Sequence, residues 1–210
     1  MIYLLFTNRP NFAKLAVAQF AKLSDITPVV LDNGEGSDEY KDKCEYLHNK
    51  EWTSPTEAFN WFRLQKKYQG EDILIMDDDA IMHLDVTPII KEQFNHFDRV
   101  CFSMMGVYDT QTQESGIANW HEANQGFLMA LRGNFWHYSI YKGWPEGMIY
   151  YYVKLPYHSA RVMPKLVCTH LIHGSNIINK SGCFHRLPKD WGIENPYLDE
   201  VKKEVELYLK

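Results

Sequence analysis

The sequence predicts an α/β protein with a central, mostly parallel mixed β-sheet flanked by helices. Apolar runs of strand length alternate with helix-forming segments through the first hundred residues, which is typical of a parallel sheet. Asn8, Asp32 and Asp77 each come at or just after the end of one of these apolar runs. Because ligands bind at the carboxyl ends of parallel strands, we expect the functional site at this edge of the sheet.

The first two strands and the first helix are predicted from short local patterns. Ile2 to Phe6 is an apolar run that predicts the first strand. Pro10 suits the first turn of a helix, and apolar residues at helical spacing extend that helix to Ser24. Residues 28–31 predict the second strand, whereas residues 36–53 are polar and predict no particular element.

The second helix is predicted from its N-terminal signal. Ser54 suits the N-cap, Pro55 the first turn, and Glu57 the third position of a capping box. Apolar residues at helical spacing continue the helix towards the next strand. The apolar run from Ile73 to Met76 follows and predicts a buried third strand.

The second half of the chain predicts further strands and helices around a polar segment. Residues 109–119 are polar and predict a loop. Strands are predicted over 100–107, 126–131 and 165–172, and helices over 134–141 and 195–210, the last of them charged and amphipathic.

The composition indicates a single folded domain. The 210 residues can bury a sizeable core, and 45% hydrophobic with 23% charged residues is ordinary for a soluble protein. A net charge of −5 disfavours generic nucleic-acid binding, although a local basic groove stays compatible with it. The apolar start is short and has no basic leader, and no stretch reaches the length of a membrane span. We therefore expect a cytoplasmic protein.

The cysteines predict reduced thiols and only weakly suggest a metal site. They are widely spaced in a chain that is too large to need disulfides. Several possible zinc ligands do lie close together in the sequence: Cys168, His170, His173, Cys183 and His185. Their spacing lacks the matched pairs of a structural zinc site, which makes this hypothesis a minor one.

The segment DILIMDDDAIM, residues 72–82, places three aspartates directly after the buried third strand. Three neighbouring carboxylates repel one another unless a cation lies among them or water reaches them. Carboxylate oxygens suit Mg²⁺ or Mn²⁺, and strand alternation would place Asp77 and Asp79 on one face. The alternative is a solvated acidic turn that caps a following helix.

Four segments resemble the motifs of GT-A-fold glycosyltransferases. YQGEDILIMDDDAIM resembles the strand and DxD motif that hold a divalent ion against a nucleotide diphosphate. NQGFLMALRGNFW is similar to the glycine-containing strand and helix that floor the acceptor site. GWPEGMIYYYVKL occupies the place of the acidic motif, and THLIHGSN resembles the segment with a late metal-binding histidine. The resemblance covers residues 2 to about 176.

The resemblance implies one GT-A domain with a defined activity. Residues 1–100 would form the nucleotide and metal half, 101–190 the acceptor half, and 191–210 a C-terminal helix. The protein would move a sugar from a nucleotide-diphosphate sugar, most often a UDP-sugar in the family, to a hydroxyl acceptor with Mn²⁺ or Mg²⁺. The sequence does not choose among a glycan, a lipid-linked saccharide, a protein, a small molecule or a modified DNA base as acceptor.

The resemblance also assigns the metal ligands. Asp79 is the expected main ligand, Asp77 assists, and His173 completes the site, with His170 as the substitute for His173. An imidazole ligand would favour Mn²⁺ over Mg²⁺.

Residues at the strand ends are expected to bind the nucleotide. Asn8, Arg9 and Asp32 occupy the positions where the family holds the base and ribose, and Asp78 is expected near the ribose. Arg9 could also bind a phosphate through its forked donors.

Glu146 is the candidate general base of an inverting reaction, in which it would deprotonate the acceptor hydroxyl. The family's acidic motif usually has two consecutive acids, but here Glu146 is followed by Gly147. Asp109 and Glu122 are the alternatives. A retaining enzyme would need no such base.

Two other functions stay open. A phosphatase or phosphotransferase of the haloacid-dehalogenase kind also places DxD after an apolar strand, with Asp77 as nucleophile. That family needs a later acidic pair at a strand end, and the adjacent acids after the DxD motif, Asp199 and Glu200, fall in the predicted terminal helix. The second alternative is a non-catalytic module that binds a nucleotide or a sugar.

Overall fold

The computed structural model describes residues 1–36, 38–119, 128–133, 159–174 and 194–209. The strands are β1 (Ile2–Thr7), β2 (Thr27–Asp32), β3 (Glu45–His48), β4 (Ile73–Met76), β5 (Ala80–Met82), β6 (Arg99–Asp109), β7 (Ser115–Asn119), β8 (Leu128–Leu131) and β9 (Ala160–Ile172). The helices are α1 (Pro10–Gln19), α2 (Pro55–Arg63), α3 (Thr87–Gln93) and α4 (Leu198–Tyr208). Within these ranges no helix combines the length and apolar character that crossing a membrane requires.

The strands form one mixed sheet in the order β3-β2-β1-β4-β8-β6-β9-β5. β6 pairs with β8 over residues 99–101 and with β7 over residues 104–108. The first four strands of this order are parallel to one another. β8 is antiparallel to both β4 and β6, and β5 is antiparallel to β9. The predicted α/β class with a mixed sheet and flanking helices is confirmed.

The first hundred residues follow the predicted alternation of strands and helices. Pro10 and Pro55 begin α1 and α2, as expected for a residue without an N–H. Ser54 caps α2, since its Oγ accepts the Glu57 N–H at 3.3 Å. The Glu57 carboxylate accepts the Thr53 N–H at 2.6 Å, so the capping box closes one residue earlier than predicted.

Three short strands differ from the sequence prediction. β3 lies in the polar segment that predicted no element, and β7 lies in residues predicted as a loop. β7 forms because it pairs with β6 across a turn in which the Asp109 carboxylate accepts the N–H groups of Gln111 and Thr112. β5 follows the acidic segment directly, whereas the alternative prediction was a turn that caps a helix at this position. The predicted helix over 134–141 lies outside the described residues.

The sheet is buried on both faces, which explains the continuous apolar runs of its strands. In β1, Tyr3 and Leu5 pack into the cluster that includes α1 and α3 residues. Ile2 and Leu4 pack on the other face with residues of α2, such as Phe62. These four β1 side chains are at most 3% exposed. Each of the three aliphatic side chains among them contributes on the order of 2 kcal/mol through burial of apolar surface.

A buried polar cluster attaches α4 to the sheet. The Nδ1 of His83 lies 3.2 Å from Glu200 Oε2, and its Nε2 lies 2.7 Å from Thr169 Oγ1. Asn195 Nδ2 donates to the same Thr169 oxygen at 3.0 Å. A neutral His83 with its proton on Nδ1 satisfies every contact, because the Thr169 hydroxyl then donates to Nε2. Burial lowers the pKa of His83 to about 4 and favours this neutral form.

The space around this cluster explains Gly106 of β6. A Cβ on Gly106 would collide with Thr169 Oγ1 and approach Asn195 Nδ2 to 2.8 Å. Lys22 adds a second attachment, because its Nζ donates to the Met82 carbonyl at 2.8 Å and pairs with Glu200 at 2.6 Å. The C-terminal helix is therefore fixed to β5 and β9 by specific polar contacts.

We predict that His83 makes the protein less stable in mild acid. The folded pKa lies below the unfolded value, so the unfolded state binds more protons as the pH falls from about 6.5 to about 4. The free energy of unfolding should drop by up to about 3 kcal/mol over this window because of this group. Urea unfolding at several pH values measures the drop.

His83→Gln should flatten this part of the pH profile, although it also lowers the stability at neutral pH. His96→Gln is the matched control, because the His96 side chain is exposed. If His83→Gln and wild type lose stability in parallel between pH 6.5 and 4, the assignment to His83 is wrong.

Candidate metal and nucleotide site

Three strand ends bring the predicted ligands together at one edge of the sheet. β4 runs into Asp77, Asp78 and Asp79, which lead directly into β5. β1 lies beside β4 and ends at Thr7, next to Asn8 and Arg9. β9 pairs with β5 so that His170 is opposite Ala80, and the Leu171 N–H donates to the Asp79 carbonyl at 2.8 Å. This register places the late histidines beside the aspartates.

The side chains of Asp77, Asp79 and His170 form a possible metal site. One ligand atom from each lies within 4.8 Å of the others, and Asp79 and His170 are buried. His170 Nδ1 lies 3.2 Å from Asp79 Oδ1, yet it makes no hydrogen bond within the described part of the chain. A buried imidazole nitrogen and a carboxylate oxygen held side by side suit two ligands of one cation. These residues fit a divalent ion.

His173, the histidine first expected as a ligand, lies on the Arg9 side of the cluster. Its Nε2 is 3.1 Å from Asp79 Oδ2 and 2.8 Å from Arg9 Nη1. One imidazole nitrogen can donate to the carboxylate or accept from the guanidinium, but it cannot do both. The ring stacks on Phe12 at 4.1 Å. His170 is thus the better placed ligand, and the role of His173 as a ligand stays a prediction.

Arg9 binds two of the three aspartates. Its guanidinium contacts Asp78 through Nε, at 3.2 Å, and through Nη2, and it reaches Asp79 Oδ2 at 3.0 Å. The group also lies 4.5 Å above the centre of the Phe12 ring. Thr7 Oγ1 donates to Asp78 Oδ2 at 2.7 Å, which turns this carboxylate towards β1. Thr7 and Phe12 carry no sequence signal for this role, because only the fold brings them to the site.

The electrostatics of the cluster follow from burial and from these contacts. Burial raises the pKa of Asp78, against the opposing charge of Arg9, and the Asp79 charge adds to the rise. Burial alone would also raise the pKa of Asp79, but His170, His173 and Arg9 outweigh it and hold that pKa well below its usual range. Burial opposes the charge of Arg9, yet the two carboxylates raise its pKa. The cluster is stabilised by positive charge.

Asp32 lies at the same edge, but its carboxylate is already engaged within the protein. Oδ1 accepts the Gly34 N–H at 2.7 Å, and Oδ2 accepts the hydroxyls of Tyr40 at 2.9 Å and Tyr46 at 2.8 Å. Burial, together with the Asp32 charge, raises the pKa of both tyrosines. Asn8 is exposed at the end of β1. The nucleotide contacts of Asn8 and Asp32 stay predictions.

The other candidate residues are only partly described. Glu146 and Glu122 lie outside the described residues, so their place in the site stays a prediction. Asp109 lies next to the β6–β7 turn, where it binds backbone N–H groups. The described cysteines, Cys44, Cys101 and Cys168, are free thiols, as expected. Cys183 and His185 of the minor zinc hypothesis lie outside the described residues.

Comparison with known proteins identifies the fold. No protein-family model and no curated protein matches the sequence. The chain is similar to bifunctional IspDF from Campylobacter jejuni, with a TM-score of 0.54 and 6% identity over 78% of this chain and 49% of that one. This chain therefore spans about half the length of IspDF. With the observed strand order, the likeness supports a Rossmann-like α/β fold.

Two further solved structures are more distant. 4-Diphosphocytidyl-2C-methyl-D-erythritol synthase from Anaerococcus prevotii has a TM-score of 0.47 and 10% identity, over 80% of this chain and 87% of that one. Galactosyltransferase LgtC has a TM-score of 0.40 and 11% identity, over 65% of this chain and 59% of that one. At TM-scores this low, neither likeness supports an inference about this chain.

We predict that the metal ligand from β9 is His170 and that His173 contributes less. His170→Gln should weaken Mn²⁺ binding by at least about tenfold, because it removes a buried nitrogen of the cluster. His173→Gln, the matched variant, should weaken binding less. Isothermal titration with Mn²⁺ in the presence of UDP measures both. The opposite order would assign the ligand to His173.

Proposed function

We propose that the protein is a metal-dependent glycosyltransferase that moves a sugar from a nucleotide-diphosphate sugar to a hydroxyl acceptor. The observation that carries this proposal is the cluster of Asp77, Asp79 and His170 at the carboxyl edge of parallel strands. The motifs that resemble the GT-A family support the same function. A UDP-sugar is the donor that the resemblance favours.

Different residues of the cluster would bind different parts of the donor. Asp77, Asp79 and His170 would hold Mn²⁺ or Mg²⁺, and a bound divalent ion supplies positive charge to the departing diphosphate. Arg9 lies beside them and presents a forked donor suited to phosphate oxygens. Asp78, fixed by Thr7 Oγ1 at 2.7 Å, would lie near the ribose.

The strand ends next to the cluster would bind the rest of the nucleotide. Asn8 is exposed there and available to the base or ribose. Asp32 would act through the turn that it holds, because its oxygens bind Gly34, Tyr40 and Tyr46. In this arrangement Asp32 would hold the turn beside the nucleotide and would make no direct hydrogen bond to the nucleotide.

We predict that a nucleoside diphosphate binds much more tightly with a divalent metal than without one. Titration of UDP and other nucleoside diphosphates by calorimetry should show binding with Mn²⁺ that is strongly weakened by EDTA. Asp79→Asn should lose the binding, since the substitution keeps the shape but removes the ligand charge. Asp38→Asn is the matched control, because that side chain is 96% exposed and pairs only with Lys41 among the described contacts.

Each outcome of this titration separates the proposed function from its alternatives. Absence of binding by every nucleoside diphosphate tested would contradict the glycosyltransferase proposal, and phosphate release from small phosphoesters would then indicate the phosphatase alternative. Binding that depends on metal, with no turnover of any sugar nucleotide, would indicate a non-catalytic module.

We predict that Glu146 is the general base of an inverting transfer. Glu146→Gln should lower kcat by at least about 100-fold, because the acceptor hydroxyl would lose its proton acceptor, and should leave Mn²⁺–UDP affinity unchanged. Glu122→Gln tests the alternative base, and a loss of turnover there with none in Glu146→Gln would assign the base to Glu122. Glu114→Gln is the matched control, because the Glu114 residue is exposed in the turn between β6 and β7. If Glu146→Gln turns over like wild type, Glu146 is not the general base. A retaining mechanism would give the same result, because it needs no such base.

A further inference from the structure

Arg9 lies against the acidic side chains, next to the candidate metal site. Its side chain is 23% exposed, whereas those of Asp78 and Asp79 are each 6% exposed. The guanidinium reaches Asp78 through Nε at 3.2 Å and Asp79 through Nη2 at 3.0 Å, and Nη1 lies 2.8 Å from His173 Nε2. All three of its nitrogens are thus engaged with residues of the cluster.

This arrangement supplies the positive charge that the acidic segment needs without a metal. Buried carboxylates are costly unless an opposite charge and hydrogen bonds compensate them. Arg9 provides both, and the Phe12 ring supports its other side at 4.5 Å. The protein therefore carries its own cation beside the candidate metal site.

The same contact opposes metal binding. Asp79 is shared, because its Oδ2 binds Arg9 while its Oδ1 lies 3.2 Å from His170 Nδ1. A divalent ion held by Asp79 and His170 would lie close to the guanidinium, in a buried place where like charges repel strongly. Arg9 also competes for His173, because the Nε2 of His173 faces both the Arg9 donor and the Asp79 acceptor and can bind only one of them.

We infer that Arg9 is a resident cation that competes with the divalent metal and leaves the aspartates when a polyphosphate arrives. The inference rests on the proposed function and deepens it. A forked guanidinium binds phosphate oxygens in pairs, so a diphosphate can accept Arg9 and the metal together. The substrate class is then a metal-bound di- or triphosphate, and neither a free divalent ion nor an uncharged sugar binds well alone. Metal and diphosphate bind with positive coupling.

Mn²⁺ titrations followed by electron paramagnetic resonance test the competition. Wild type and Arg9→Gln are titrated with Mn²⁺ alone and with saturating UDP, and the Mn²⁺–UDP association is measured separately. Arg9→Gln should bind Mn²⁺ alone about tenfold more tightly than wild type. UDP should strengthen Mn²⁺ binding about tenfold in wild type and much less in Arg9→Gln.

Two further variants make the result specific. Lys22→Gln removes a cation that pairs with Glu200 and Glu204 in another part of the structure, and it should leave the affinity for Mn²⁺ unchanged. Arg9→Lys keeps the charge without the fork, so UDP should strengthen Mn²⁺ binding less than in wild type. If Arg9→Gln folds only when Mn²⁺ is added, as read by circular dichroism, the result supports the inference, because the metal then replaces the missing charge.

The outcomes that overturn the inference differ from those that overturn the proposed function. Equal affinity of wild type and Arg9→Gln for Mn²⁺ alone contradicts the competition, even when both bind Mn²⁺ with UDP. If Arg9→Gln does not fold, equal UDP coupling in Arg9→Lys and wild type contradicts it. Absence of Mn²⁺ binding by wild type and by folded Arg9→Gln, with and without UDP, contradicts the proposed glycosyltransferase itself.

Discussion

The mutual repulsion of three consecutive aspartates is the constraint on which the rest of the site depends. Asp78 and Asp79 are buried, so positive charge or hydrogen-bond donors must reach them from elsewhere in the chain. Arg9 comes from the end of β1, and His170 comes from β9. A sheet with another strand order would leave the carboxylates without these partners.

The sheet and its C-terminal helix meet this constraint together. β9 pairs with β5 on one side and with β6 on the other, which fixes His170 next to Asp79. On the opposite face, Thr169 binds His83 and Asn195, and α4 packs over Leu171. Adjacent residues of one strand therefore serve two purposes, since strand side chains alternate between faces. His170 contributes to the site, and its neighbour Thr169 contributes to the stability of the fold.

A site that already contains a cation differs from an open acidic pocket in how it selects ligands. Arg9 compensates the charges of Asp78 and Asp79, and under the inferred competition the same contacts would oppose the binding of a divalent ion alone. An anion that accepts both cations removes the conflict. Selection by charge balance of this kind would link metal and donor binding without any large movement of the sheet.

The parts of the fold that depend on neighbours along the chain could be predicted from local patterns in the sequence. Apolar runs, helical spacing and the capping signals of Pro10 and Ser54 were enough to predict β1, α1, β2, α2 and β4, and with them the edge that carries the acidic segment. The tertiary structure favours His170 over His173 as a ligand, because the β5–β9 register places His170 next to Asp79, and the role of His173 stays a prediction. The tertiary structure also decided that Arg9 binds Asp78 and Asp79 and that Asp32 binds two tyrosines. The short strands β3, β5 and β7 were missed because each carries too weak a local pattern of its own and forms only by pairing with a longer strand. For β5 that partner is β9, which is distant in sequence.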